Sequence, residues 1–138
     1  MDQKLDMLGK VPLFAGLQRR DLEQVGRECD EVDLPAGRVI AKQGSWAEEF
    51  FIILDGTVDV TRDDKHLADL GPGDFFGEMA LLGKIPRTAT VTATTAVKVL
   101  VLGHREFNSV LASHPSIQRA VLQALASRVA TLEPERHH

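Results

Sequence analysis

Phe76-Gly77-Glu78-Met79-Ala80-Leu81-Leu82-Gly83-Lys84-Ile85-Pro86-Arg87-Thr88-Ala89-Thr90-Val91 places one carboxylate and one guanidinium on either side of a short helical turn, in a region otherwise written for strands. Small or unbranched residues at Gly77, Met79 and Ala80, followed by Leu81 and Leu82, let a turn of helix begin close against a ligand. Its first backbone N–H groups have no partner within the helix and therefore attract an anion. Arg87 comes after a loop containing Gly83 and Pro86 that can fold back, so its planar fork can meet a phosphate oxygen from the open side. Glu78, acceptor-only when ionised, suits a sugar hydroxyl, and the pair together favours a sugar phosphate over bare phosphate. The plainer reading, a surface Glu and a surface Arg around a strand connection, stays open at this level.

Outward from this stretch, Glu31 to Gly103 is a series of short β-type runs parted by turn residues. They are Val32–Leu34, Val39–Ala41, Phe50–Leu54, Thr57–Thr61, Leu67–Leu70, Phe75–Phe76, Thr88–Thr94 and Val97–Leu102. Asp55-Gly56 between apolar flanks predicts a hairpin closed by a type I′ turn, with positive φ at both central residues. Closely spaced strands with no long helix between them argue for an antiparallel barrel or jelly roll, interrupted once by the short helical turn. The glycines at 37, 44, 56, 71, 73 and 77 read as turn or bulge requirements, since no Gly-rich run leads into a long helix with Lys and Ser/Thr.

Helical patterns flank this region. Residues 4–8 are weakly amphipathic, Val11 to Leu17 forms an apolar turn, and Leu22, Val25 and Cys29 follow helical spacing, with Asp21 and Glu23 near the start where the dipole favours acids. After Gly103, Phe107, Val110 and Leu111 share one helix face. Pro115 suits a first helical position, and a last helix from about Ser116 to Leu132 aligns Ile117, Val121, Leu125 and Leu132, with Leu122 and Val129 alongside. The expected layout is one domain over residues 1–138: a helical lead-in over 1–29, the β-region over 30–103, C-terminal helices over 104–133 and a tail over 134–138.

Composition bounds the function classes. A chain of 138 residues, 43% hydrophobic and 26% charged, is ordinary globular material with no apolar run near the ~20 residues of a membrane span. The net charge is −4 and the one basic cluster before the tail is Arg19-Arg20, which argues against a nucleic-acid surface. Cys29 is the single cysteine, so no internal disulfide forms; it reads as a small buried hydrophobe, and a reducing cytoplasm is the expected setting.

Gly77-Glu78-Met79-Ala80-Leu81 followed by Pro86-Arg87-Thr88-Ala89-Thr90-Val91 resembles the phosphate-binding cassette of the cyclic nucleotide-binding domain family, found in protein kinase A regulatory subunits, cyclic nucleotide-gated channels and the catabolite activator protein. The resemblance implies that Glu78 accepts from the ribose 2′-hydroxyl and Arg87 pairs with the cyclic phosphate. The Ala80 N–H and the Thr88 hydroxyl complete the cradle, and Gly77 permits close approach, so the implied ligand-binding set is Gly77, Glu78, Met79, Ala80, Arg87, Thr88 and Ala89. It also implies mobile flanking helices. Leu122, Leu125, Arg128, Val129 and Leu132 on the last helix are lid or interface candidates, beside the reading that they only pack on the β-region. A position occupied in the family by an acid near the cassette arginine falls at Glu48-Glu49, with Glu48 expected to orient Arg87. cAMP is the expected ligand and cGMP the alternative, since Thr88 occurs with either. Expected partners are the nucleotide and a second copy, an effector domain or an effector protein, with neither nucleic acid nor membrane bound directly. The chain ends after the last helix, as either a sensory piece of a longer protein or a stand-alone module; a ligand-free interaction domain of the same fold is a third reading.

A cupin-like metal enzyme needs several His or carboxylate ligands on neighbouring strands. His66 stands near a hairpin, His104 and His114 border helices, and His137 and His138 are terminal, so no metal is expected. Ser45, Ser109, Ser113, Ser116 and Ser127 lack a nucleophile-elbow setting, Cys29 has no His/Asp partner in evident reach, and no second acid joins Glu78 for bond cleavage. A non-enzymatic sensor is expected.

Overall fold

The computed structural model describes residues 3–11, 14, 17–46, 49–77 and 86–131. Two helices, α1 (Gln3–Gly9) and α2 (Arg19–Glu28), precede eight strands: β1 (Asp30–Leu34), β2 (Val39–Ala41), β3 (Phe50–Asp55), β4 (Val58–Arg62), β5 (Lys65–Leu70), β6 (Phe75–Phe76), β7 (Thr90–Ala93) and β8 (Val97–Leu102). Helices α3 (His104–Ser113) and α4 (Pro115–Thr131) follow. The strands form two antiparallel four-stranded sheets, β1-β8-β3-β6 and β2-β7-β4-β5. This is a jelly roll of two facing sheets, and each ladder is separate, so the expected architecture appears in its jelly-roll form. The short internal helix expected after Gly77 falls at residues 78–85, outside the described residues.

The apolar pattern explains the layering. Phe50, Ile52 and Leu54 of β3, with Leu100 and Leu102 of β8, bury one face of the first sheet against Leu8, Val25, Phe107, Val110, Ile117 and Val121 of the helices. Phe51 and Ile53, with Val97 and Val99, bury the other face against Ala41, Val58, Val91 and Ala93 of the second sheet. A strand covered on both faces must be apolar at every position, which is why Phe50-Phe51-Ile52-Ile53-Leu54 does not alternate. Phe50 stacks on Phe107 at a centroid distance of 4.0 Å and fastens α3 to β3. Cys29 is buried, as its small size predicts.

Two sequence expectations are corrected. Asp55-Gly56 does not close a hairpin: β3 belongs to one sheet and β4 to the other, so the segment crosses between layers. There Gly56 alone has positive φ. The two consecutive positive φ values instead sit at Asp63 (52°) and Asp64 (64°), in the tight turn between β4 and β5. The strand expected over Thr88–Thr94 begins only at Thr90, because the preceding backbone is used for a contact with another loop, described next.

Candidate functional site

Two connections between the sheets meet at one place. The segment after β2 carries Gln43, Gly44 and Ser45, and the segment before β7 carries Pro86 to Ala89. The Gly44 N–H donates to the Arg87 carbonyl at 2.8 Å and the Arg87 N–H to the Ser45 carbonyl at 2.9 Å, a two-bond bridge that fixes the Arg87 backbone. The Gln43 N–H donates to Thr90 Oγ1 at 2.9 Å, anchoring the same pair of segments one step further along. From the second sheet, Arg62 Nε donates to the Thr88 carbonyl at 3.0 Å. Gln43 also grips the β4–β5 turn, with its amide Nε2 donating to Asp63 Oδ1 at 2.9 Å and its Oε1 accepting from the Asp63 N–H at 2.8 Å. Every peptide group around Arg87 and Thr88 named here is held by a partner from a different element.

The Arg87 side chain is turned inward and only 9% exposed. Its Nη2 donates to the main-chain carbonyl of Glu49 at 3.0 Å, and its Cζ lies 5.7 Å from the centre of the Phe51 ring. The Glu49 carboxylate stands 3.8 Å from the same nitrogen but is half exposed, so it contributes little beside the carbonyl. Gly77 completes the arrangement. It has φ of +95°, and a side chain there would meet the Glu49 carbonyl at 2.6 Å, Arg87 Nη1 at 3.0 Å and Phe50 Cα at 3.3 Å. Only a residue without Cβ lets the chain pass this close to the guanidinium. A cation held out of bulk water, oriented by a carbonyl and a ring face, is a receptor suited to an anion with several oxygen atoms.

The structure thus brings together Gly77, Arg87, Thr88 and Ala89 of the expected set. Glu78, Met79 and Ala80 lie outside the described residues, as does Glu48, the residue expected to orient Arg87. The described brace on Arg87 is Glu49, and through its backbone. Sequence reasoning missed this because a carbonyl is present at every position and has no residue signature; it also missed Gln43 and Arg62, whose roles depend on which loops meet. Of the lid or interface candidates, Leu122 is 56% exposed while its neighbours Ile117 and Val121 are buried in the core. Leu125, Arg128 and Val129 fall within α4, and Leu132 lies beyond the described residues. Among the described residues, no helix is long and apolar enough to cross a membrane.

The family profile described as the cyclic nucleotide-binding domain matches residues 31–114. A cyclic nucleotide-gated potassium channel of Rhizobium etli is 37% identical over 122 residues, covering 88% of this chain and 34% of the channel, so the chain spans about a third of that relative. Among solved structures, the catabolite activator protein of Thermus thermophilus superposes with a TM-score of 0.81 at 27% identity, over 91% of this chain and 62% of that one. The cAMP-bound PfPKA-R fragment 141–441 gives 0.77 at 27% identity, over 90% and 46%.

Proposed function

Because the chain belongs to the cyclic nucleotide-binding domain family, we propose that it is a non-enzymatic cyclic nucleotide sensor whose ligand is cAMP. The observation that carries this reading is the inward, braced guanidinium of Arg87 beside a glycine that clears its approach. Arg87 pairs with the cyclic phosphate, the Thr88 hydroxyl and the Ala80 N–H share its oxygens, and Glu78 accepts from the ribose 2′-hydroxyl. Gly77, Met79 and Ala89 complete the ligand-binding set. The roles of Glu78, Met79 and Ala80 rest on their order in the sequence. The residue types at the site are those of recognition, a fixed cation and hydroxyl and amide donors. The choice of cAMP is supported by the ligand of the PfPKA-R fragment, whose fold this chain shares.

The response follows from how the site is built. Phosphate on Arg87 draws the 77–89 connection against the segment after β2, and Leu81 and Leu82 shift with it. The α3–α4 pair then repacks on β3, bringing α4, with Leu122, Leu125, Arg128, Val129 and Leu132, over the base or against a second copy. The nucleotide biases this change only by its difference in affinity for the two packings. The output passes to an effector domain or protein in the cytoplasm.

Calorimetric titration with cAMP and cGMP tests the reading. Arg87→Ala is expected to weaken cAMP binding by about 2–4 kcal/mol, some thirtyfold to several hundredfold, since a partly desolvated charged pair is lost. Near-wild-type affinity in that variant would refute the site, and tighter binding of cGMP by the wild type would reverse the ligand preference.

A further inference from the structure

The outer face of the β4–β5 hairpin gathers three metal-competent side chains that the nucleotide site does not use. Asp59 on β4 stands directly opposite Asp69 on β5, and Val60 opposite Ala68, but the next pair is Thr61 with His66. Leu67 is therefore an extra residue, a bulge. Without it Leu67 would oppose Thr61, and His66 would oppose Arg62 on the other face. The bulge turns the imidazole onto the face of the two carboxylates, the kind of re-aiming for which bulges serve. All three donor groups then lie within 4.8 Å of one another.

The arrangement within the cluster is ordered. His66 Nδ1 is 2.5 Å from Asp59 Oδ1, a hydrogen bond in which the ring N–H donates to the carboxylate. In the neutral ring such a bond places the proton on Nδ1 and leaves Nε2 as the ligating nitrogen. Nε2 lies 3.8 Å from Asp69 Oδ2, too far for a hydrogen bond. With metal–ligand distances of about 2.1 Å, a 3.8 Å span subtends about 130° at an intervening ion, an angle open enough for water to complete the coordination. A carboxylate that holds a histidine by one nitrogen while the other faces a ligand position is the outer-shell arrangement that orients metal-bound imidazoles. The register adds a reason for a cation. Two carboxylates directly opposite across a ladder repel, and among the described residues His66 is the only basic side chain within ion-pair distance of either.

We propose that this hairpin face is a binding site for a divalent transition-metal ion such as Zn²⁺, with His66 Nε2 and Asp69 Oδ2 as ligands and Asp59 as the residue that positions the ring. An imidazole and a carboxylate suit borderline metals and disfavour Mg²⁺, which prefers oxygen donors alone.

The test is a Zn²⁺ titration of the whole chain with both terminal histidines replaced (His137→Ala, His138→Ala), read from the ring nitrogens of His66 by NMR and from heat by calorimetry. One equivalent of Zn²⁺ is expected to shift the Nε2 signal. His66→Ala is expected to abolish that event and Asp69→Asn to weaken it by about tenfold or more. Asp59→Asn is expected to cost about tenfold, with the free ring losing its preference for the Nδ1–H tautomer, a change that a merely structural role would not produce. The three side chains are at the solvent face, so the variants keep the fold; an unchanged urea midpoint verifies this. A His66 ring unmoved at roughly millimolar Zn²⁺, or equal affinities for wild type and His66→Ala, would overturn the site and leave an imidazolium between two carboxylates.

Discussion

Gly77→Ala isolates the close approach on which the Arg87 site depends. The added Cβ would stand 2.6 Å from the Glu49 carbonyl oxygen, on a backbone with φ of +95°. Two costs are mixed in such a change. The left-handed conformation penalises any Cβ by roughly 1–2 kcal/mol, offset by about 0.4–1 kcal/mol because alanine restricts the unfolded chain. The collision adds the cost of forcing atoms into filled space, about 1–3 kcal/mol. Gly37 separates them: its φ is +88°, but a Cβ there meets nothing within 4 Å. Gly37→Ala is thus expected to lose about 0.5–1 kcal/mol and Gly77→Ala about 2–4 kcal/mol, a difference of roughly 5–10 °C in midpoint for a domain of this size. Binding adds a second reading. The oxygen that must move is the one holding Arg87 Nη2, and weakening a hydrogen bond to a charged group by half its worth predicts about a tenfold loss of cAMP affinity. Urea unfolding followed by circular dichroism and calorimetry on the two variants are the measurements. Equal stability losses, or a Gly77→Ala protein that binds as tightly as Gly37→Ala, would refute the packing argument.

Glu49→Gln is expected to change cAMP affinity by less than about threefold, because the brace is the carbonyl, which survives, and a half-exposed carboxylate pair adds at most about 0.2–1 kcal/mol; a tenfold loss by calorimetry would make the side chain the brace instead. Phe50→Ala removes the ring stacked on Phe107 inside the helix-facing core and is expected to cost about 3–5 kcal/mol in urea unfolding, with α3 losing amide protection first. Asp64→Gly relieves a side chain at φ of 64° and is expected to gain about 1 kcal/mol, while Asp63 keeps its bonds to Gln43; an unchanged or lower midpoint would contradict the turn assignment.

The strands and the helices were legible because each rests on local pattern: strand-length apolar runs and helical spacing at Val25 and Cys29. The turn at Asp55-Gly56 was not. Its residues fit a hairpin, but whether consecutive strands pair depends on which sheet each joins, and the doubly buried β3 is drawn between β6 and β8 by burial at all five apolar positions. Asp63-Asp64 carries no glycine or asparagine, so the two consecutive positive φ values there leave none of the sequence signal that Asn-Gly or Asp-Gly gives. Leu122 counted as part of an apolar stripe, yet Ile117 and Val121 are the positions that turn into the core, with Ala120 packed beside them, and Leu122 faces solvent. The partners of Arg87 were the least legible of all, being a carbonyl and a ring brought from the start of β3.

The unequal covering of the two sheets also divides the molecule kinetically. β3 and β8 are walled on both sides, by helices and by the opposite sheet, and their amides are expected to exchange only through global unfolding. β4 and β5 show one face to solvent, so their openings are local and cheaper. The 42–49 and 77–89 connections span that boundary, with one end rooted in the slowest-exchanging layer and the other in the more labile one. If the proposed site holds, a nucleotide on Arg87 would act at the seam between two stability regimes, pulling on the looser layer while β3 and β8 serve as an unmoving reference frame.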